Sequence, residues 1–293
     1  MSVVNLSIIE MERAVYYAGK QLDMFEWAFR QLLEYNGIEN ADHIDCIGRR
    51  SFGFSTDVLE QAWFCPYISC EEAVSYIASE LGIGLRCAGT EILEQLLEEI
   101  DYCRNGMILG PMKKGVAATG LREYYYDGKG IYLFAEATDN GKLRVYDPQG
   151  MPGLMVSREE IRMLAAESKP YVIVYEGSGT GEGEGRRQMD AAYIFREGME
   201  YHKRIQKAEL QEIQNAGKYY RKGSANEIAL QYGIMNLCLQ LDKVAMLAEE
   251  CGHLSDQAER EYYISKRKLY DVGQKEEVER IPEIWEKIWE VLG

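Results

Sequence analysis

The sequence predicts an α+β domain followed by an all-α helical bundle, on three observations. Between residues 104 and 147, short apolar runs alternate with Gly- and Asn-containing turns, the pattern of an antiparallel meander. Ahead of that meander, Ser or Asp followed three positions later by Glu introduces amphipathic helices. Beyond a Gly-rich run at 176–185 the apolar spacing is helical to the end of the chain.

The elements follow in order. Asp23 with Glu26 reads as a capping box opening a helix that Gly37 closes as its C′ residue. Arg49-Arg-Ser-Phe-Gly-Phe-Ser55 reads as a Gly-containing loop. A capped helix runs from Ser69 to Gly82, and Thr90 to Tyr102 gives another. Arg104-Asn-Gly-Met-Ile-Leu-Gly-Pro111 is a turn feeding a buried strand. Tyr124-Tyr-Tyr126, the turn Asp127-Gly128, a strand Ile131–Ala137, the turn Asp139-Asn-Gly141 and a strand Leu143–Tyr146 follow. Asp147-Pro-Gln-Gly150 ends the meander, Ser157 and Glu160 cap a short helix, and Lys169-Pro-Tyr-Val-Ile-Val-Tyr175 is a buried strand. The expected division is a domain over 1–176, a linker over 177–185 and a bundle over 186–293.

The bundle's expected helices are Met189–Gln214, Ala225–Cys251, Ser255–Tyr270 and Ile281–Leu292, with Pro282 suited to the first turn of the last. In that helix Ile281, Ile284, Trp285, Ile288, Trp289 and Leu292 form one wide apolar stripe. Such a stripe is covered either by the rest of the bundle or by a second copy, giving a homodimer through the C-terminal helices.

Composition narrows the function classes. The net charge is −15 and is unevenly placed: residues 186–293 hold 17 Lys/Arg against 19 Asp/Glu, leaving 16 against 29 in residues 1–185. Nucleic-acid binding is disfavoured, because neutralising phosphates takes a basic face. No apolar run is long enough to span a bilayer and the start has no signal-peptide layout, so the expected location is the cytoplasm. Seven cysteines without CxxC pairs fit reduced thiols, and three histidines without shared spacing give no metal site. The Gly-rich run after the 169–175 strand fails as a dinucleotide fingerprint, since the third glycine of GxGxxG falls on Glu182, Glu184 or Arg186. No cofactor is implied.

One stretch carries chemistry by its layout. In Gln21-Leu-Asp-Met24, Met24 falls in the first turn of the capped helix, where free N–H groups and the dipole favour an anion and would activate a thiol. A thioether does not ionise. Gln21, Met24 and Tyr35-Asn-Gly37, then Ser51-Phe-Gly-Phe54, Asn105-Gly-Met-Ile-Leu-Gly110, and a strand from Ile131-Tyr132 leading to Asp147-Pro-Gln-Gly150 occur in an order that resembles the papain-like family of double-glycine leader peptidases and butirosin-type amino-acyltransferases. The resemblance covers about residues 14 to 175.

It implies a papain-like fold for the first domain. In that family a Cys attacks a thioester or amide carbonyl, a His is the general base, an Asp orients the His and a Gln donates to the oxyanion. Only Gln21 and Asp147 survive in kind; Met24 holds the Cys position, and Ile131 or Tyr132 the His position. The implied function is that of a non-catalytic relative, a pseudoenzyme. Gln21, Met24, Tyr132 and Asp147 would line a cleft for an acyl, peptidyl or amine-bearing small molecule, or a partner-protein-borne intermediate, in bacterial natural-product biosynthesis or peptide processing. The alternative is an active acyltransferase or hydrolase with a rebuilt site, using Asp147, Tyr132 or a displaced Cys such as Cys65 or Cys70. Tyr132 in turn is either a hydrogen-bond donor near Asp147 or a core residue beside Phe134.

Overall fold

A computed structural model describes residues 24–38, 42–57, 62–89, 98, 105–112, 131–138, 142–147, 151–165, 170–178, 190–219, 225–275 and 277–293. Gln21, Asp23, nearly all of the helix expected over 90–102, Tyr124–Tyr126 with their turn, the 139–141 turn and residues 148–150 lie outside these. The chain is a mixed helix and antiparallel-sheet protein with a C-terminal helical region. It divides into two compact units, one of residues 1–42, 84–126 and 130–177, the other of residues 43–83, 127–129 and 178–293.

The first unit contains helix α1 (Met24–Tyr35) and a six-stranded sheet in the order β3-β8-β4-β5-β6-β7. Its strands are β3 (Ile83–Gly89), β4 (Met107–Met112), β5 (Ile131–Ala137), β6 (Leu143–Asp147), β7 (Met151–Val156) and β8 (Tyr171–Ser178). The pairs β8–β4, β4–β5, β5–β6 and β6–β7 are antiparallel. Met107, Ile108 and Leu109 of β4 and Val172, Ile173 and Val174 of β8 are all buried. Consecutive buried residues point to both faces, so these central strands are covered on both sides, as their unbroken apolar runs require. α1 packs on β5 and β4, burying Phe25, Trp27, Ala28, Phe29, Leu32 and Leu33. It ends as its sequence implies: Gly37 takes a φ of 71° and the Ile38 amide donates to the Leu33 carbonyl at 2.9 Å, closing the helix.

Two strands of this sheet carry no sequence signal. β3 holds Gly84, Arg86 and Gly89 and reads as loop, while β7 continues the meander past residue 150, where Pro and Gly suggest its end. Gly153 makes β7 compatible with its neighbour. A Cβ there would stand 2.6 Å from the Arg144 side chain and 2.8 Å from Tyr146, so both β6 side chains lie across it. α4 (Arg158–Ala165) follows, with Ser157 and Glu160 making the expected reciprocal cap.

The second unit begins with α2 (Ile44–Ile47), a 3-10 turn (Arg50–Phe52), the hairpin β1 (Phe54–Asp57) and β2 (Ala62–Pro66), and α3 (Cys70–Leu81). Ser69 and Glu72 form the capping box of α3, and Gly82 ends it at a φ of 62°. Four helices complete the unit: α5 (Ala191–Tyr219), α6 (Ala225–Glu250), α7 (Asp256–Lys275) and α8 (Ile281–Leu292). They match the expected bundle closely, and the α8 stripe is buried within the unit, on α7, α5 and α6. Residues 43–83 belong with these helices, because β1 packs on α5, and β2 and the 3-10 turn on α6. The expected division by linker missed this, since composition marks breaks along the chain and is silent on what packs across it.

Candidate functional site

The site expected from sequence lies where α1 begins beside β5. Position 24 opens α1 as described, one residue before Phe25, whose ring meets Tyr132 of β5 edge-on at 5.1 Å and 86°. Tyr132 is only 6% exposed, so it packs as core rather than lining an open surface. The helix start and the mid-sheet strand are thus brought together. Gln21 lies outside the described residues.

Asp147 closes β6 on the neighbouring strand, but at a different phase. The register pairs Phe134 with Tyr146 and Glu136 with Arg144, so even-numbered positions of both strands share a face with Tyr132. Position 147 is out of phase with these and in phase with Ile131. The two readings of the missing His position therefore separate: 132 is on the face that α1 covers, and 131 is on the face of position 147. Strand alternation does not bring Met24, Tyr132 and Asp147 to one point.

What occupies the α1 face is an aromatic row with a polar end. Tyr35 of α1 packs on Phe134 at 5.5 Å, and Phe134 on Tyr146 at 5.7 Å. Beyond them Glu136 accepts from the Tyr146 hydroxyl at 2.9 Å and from Arg144 at 3.0 Å. Burial and the neighbouring Glu136 raise the Tyr146 phenol above its ordinary range, so it stays a donor. The Tyr146 and Glu136 contacts likewise hold Arg144 as a cation. The sequence gave no hint of this triad beyond strand parity, which places 134, 136, 144 and 146 together once the hairpin register is known.

The other motif residues are scaffold. Asn36 donates to Leu32 and Asn105 carbonyls at 2.7 and 2.8 Å, tying the end of α1 to the start of β4, and Asn105 donates to Tyr175 O at 3.3 Å on β8. Gly106, at a φ of 74°, has the Phe134 ring 2.8 Å from where a Cβ would be. The Tyr-Asn-Gly and Asn-Gly-Met-Ile phrases are therefore one interlocked corner that fixes α1 against the sheet.

All three imidazoles are engaged inside the second unit. His43 pairs with Glu250 at 2.8 Å, His253 stacks on Phe195 at 5.0 Å, and His202 donates from Nδ1 to Phe52 O at 3.1 Å while stacking on Trp289 at 3.8 Å. The His202 Nε2 and Trp289 Nε1 atoms are buried without a hydrogen-bond partner among the described residues. Of the thiols, Cys46 and Cys70 are buried and Cys65 lies 3.0 Å from the Ser55 hydroxyl, which is no base. Burial pushes the Cys238 thiol up to about 12. Among the described residues no three His, Cys, Asp or Glu side chains gather as metal ligands, and no helix is long and apolar enough to cross a membrane.

The same unit holds two buried polar clusters that the sequence did not announce. In one, Asp45 accepts from Arg50 at 3.1 Å, from Gln240 at 3.3 Å and from Lys243, and Gln240 accepts from Ser51 at 2.6 Å. In the other, Glu209 accepts from the Phe54 amide at 2.7 Å and from Trp285 Nε1 at 2.9 Å. Their partners stand 76 to 198 residues apart in the chain, beyond any periodicity argument. Set against known proteins, the chain matches no family model, no curated protein and no solved structure.

Proposed function

We propose that the first unit is a non-catalytic relative of the papain-like acyltransferases and peptidases, whose α1–sheet face binds the acyl or peptidyl part of a small molecule in a bacterial biosynthetic or processing pathway. The observation that carries this reading is the Phe25–Tyr132 contact. The position where the family's base would face the helix start is held by a buried, edge-packed tyrosine. The engagement of every imidazole in the other unit supports the same reading, as does the inert setting of Cys238. The aromatic row supplies apolar surface for a chain, and Glu136, Arg144 and Tyr146 supply polar groups at its end. Gln21 and the N–H groups at the start of α1 remain the proposed partners of a ligand carbonyl or carboxylate. No observation favours the rebuilt-enzyme reading.

The test is an octanoyl thioester of N-acetylcysteamine incubated with the intact chain, with free thiol and covalent adduct both followed. The reading expects neither thioester cleavage above the buffer rate nor an acyl-protein adduct. Turnover, or stoichiometric acylation of one cysteine, would replace it with the rebuilt-enzyme alternative.

A further inference from the structure

The segment Ser51-Phe-Gly-Phe54 is held on both sides of its glycine by two side chains of α5. The Phe52 carbonyl accepts from His202 Nδ1 at 3.1 Å, and the Phe54 amide donates to Glu209 Oε1 at 2.7 Å. A carbonyl only accepts, so the neutral imidazole carries its proton on Nδ1. His202 and Glu209 are seven residues apart, two helical turns, and share one face. Glu209 Oε2 accepts from Trp285 Nε1 at 2.9 Å and lies 3.7 Å from His202 Nδ1. Helix and segment are in direct contact: a Cβ at Gly198 would stand 2.2 Å from the Phe52 ring, and one at Gly53 would stand 2.0 Å from the Ile205 side chain. His202 and Glu209 are both buried.

We propose that His202 and Glu209 form a pH-operated latch that fastens the Ser51–Phe54 segment to α5 and α8, closed in mildly acidic solution and released as the solution turns alkaline. The charges around it point the same way. Glu212, one turn along α5, takes the Thr56 amide at 3.1 Å and opposes a negative charge on Glu209. Lys203 opposes a positive charge on His202. Tyr201 on α5 is raised by burial and stays neutral. Arg50 of the 3-10 turn and Lys243 of α6 are paired with Asp45, and α8 presents the Trp285 and Trp289 indoles.

Burial pushes Glu209 up to about 8 and His202 down to about 4, so the closed latch holds a protonated carboxyl and a neutral imidazole at neutral pH. Released into water, the two groups return to about 4.3 and about 6.5. As pH rises from about 4.3 to about 8, the released form has lost the Glu209 proton that the closed form keeps, and closure weakens about tenfold per pH unit. As pH rises from about 4 to about 6.5, the released form loses the His202 proton that the closed form never bound, and closure strengthens at the same slope. The two effects cancel up to about pH 6.5. Release then grows roughly thirty-fold in all between about pH 6.5 and about pH 8 and levels off above.

Amide hydrogen exchange of the peptide over residues 51–56 in the intact chain, corrected for the intrinsic rate, tests this between pH 5 and pH 9. Expected is constant protection to about pH 6.5, a roughly thirty-fold loss by about pH 8 and a plateau beyond. Glu209→Gln, neutral at every pH, abolishes the loss. His202→Gln keeps a donor for the Phe52 carbonyl and moves the onset down to about pH 4.5. Protection that ignores pH in the native chain, or the same loss persisting in Glu209→Gln, overturns the latch. Should Glu209→Gln not fold, an onset left unmoved in His202→Gln overturns it equally.

Discussion

At the scale of single residues, Tyr132 and Gly106 decide whether α1 sits correctly on the sheet. Tyr132 contributes a buried ring to the Phe25 contact, so Tyr132→Ala leaves a cavity and is expected to cost about 3–5 kcal/mol in denaturant unfolding, while Tyr132→Phe keeps the ring and costs far less. Equal losses for the two would mean that the hydroxyl, not the ring, holds the position. Gly106→Ala meets two obstacles, a left-handed φ of 74° and the Phe134 ring at 2.8 Å, and is expected to destabilise by about 1–3 kcal/mol. The cysteines give a third expectation. With Cys238 pushed up by burial, and Cys46 and Cys70 buried, none of these thiols should be alkylated by iodoacetamide in the folded chain faster than free cysteine, as followed by intact mass.

At the scale of elements, legibility followed the range of the interactions. α8 was readable to both ends because Pro282, the Ile/Trp stripe and Leu292 are local facts. The Ser69–Glu72 box and Gly82 likewise located α3, and Ser69→Ala is expected to lower stability by about 1 kcal/mol in thermal unfolding, with Glu72→Ala behaving similarly. β3 was hidden because glycines at 84 and 89 and a charged Arg86 look like loop, although Arg86 pairs with Glu176 on β8 at 2.7 Å. The β1–β2 hairpin was hidden because its strands are short and lean on α5 and α6 rather than on their own alternation. Of the candidate site, the apposition of the α1 start and β5 was legible. The phase that separates Tyr132 from position 147 was not, since it depends on a register that only the folded hairpin fixes. That register also selects between two routes to a restored site. Met24→Cys should titrate below the roughly 8.5 of free cysteine, and adding Tyr132→His should lower it further where Ile131→His does not, read by thiolate absorbance. A free-cysteine titration in every variant would remove the papain-like placement of α1.

At the scale of the whole molecule, chemistry and charge are unevenly divided between the two compact units. The acidic residues concentrate in 1–185, while the buried His, Glu, Arg and Lys partnerships belong to the helical unit, with its inserted 43–83 segment. The first unit offers apolar and aromatic surface beside the start of a helix, an arrangement suited to holding an acyl chain without reacting with it. The most direct test is a calorimetric titration of the intact chain and of Met24→Asp with octanoyl-glycine. The account expects saturable one-to-one binding that raises the melting temperature with ligand concentration, and its loss in Met24→Asp, where a carboxylate at the helix start repels the ligand's own. No heat and no melting shift in the native chain, or binding unchanged in a folded Met24→Asp, would contradict it.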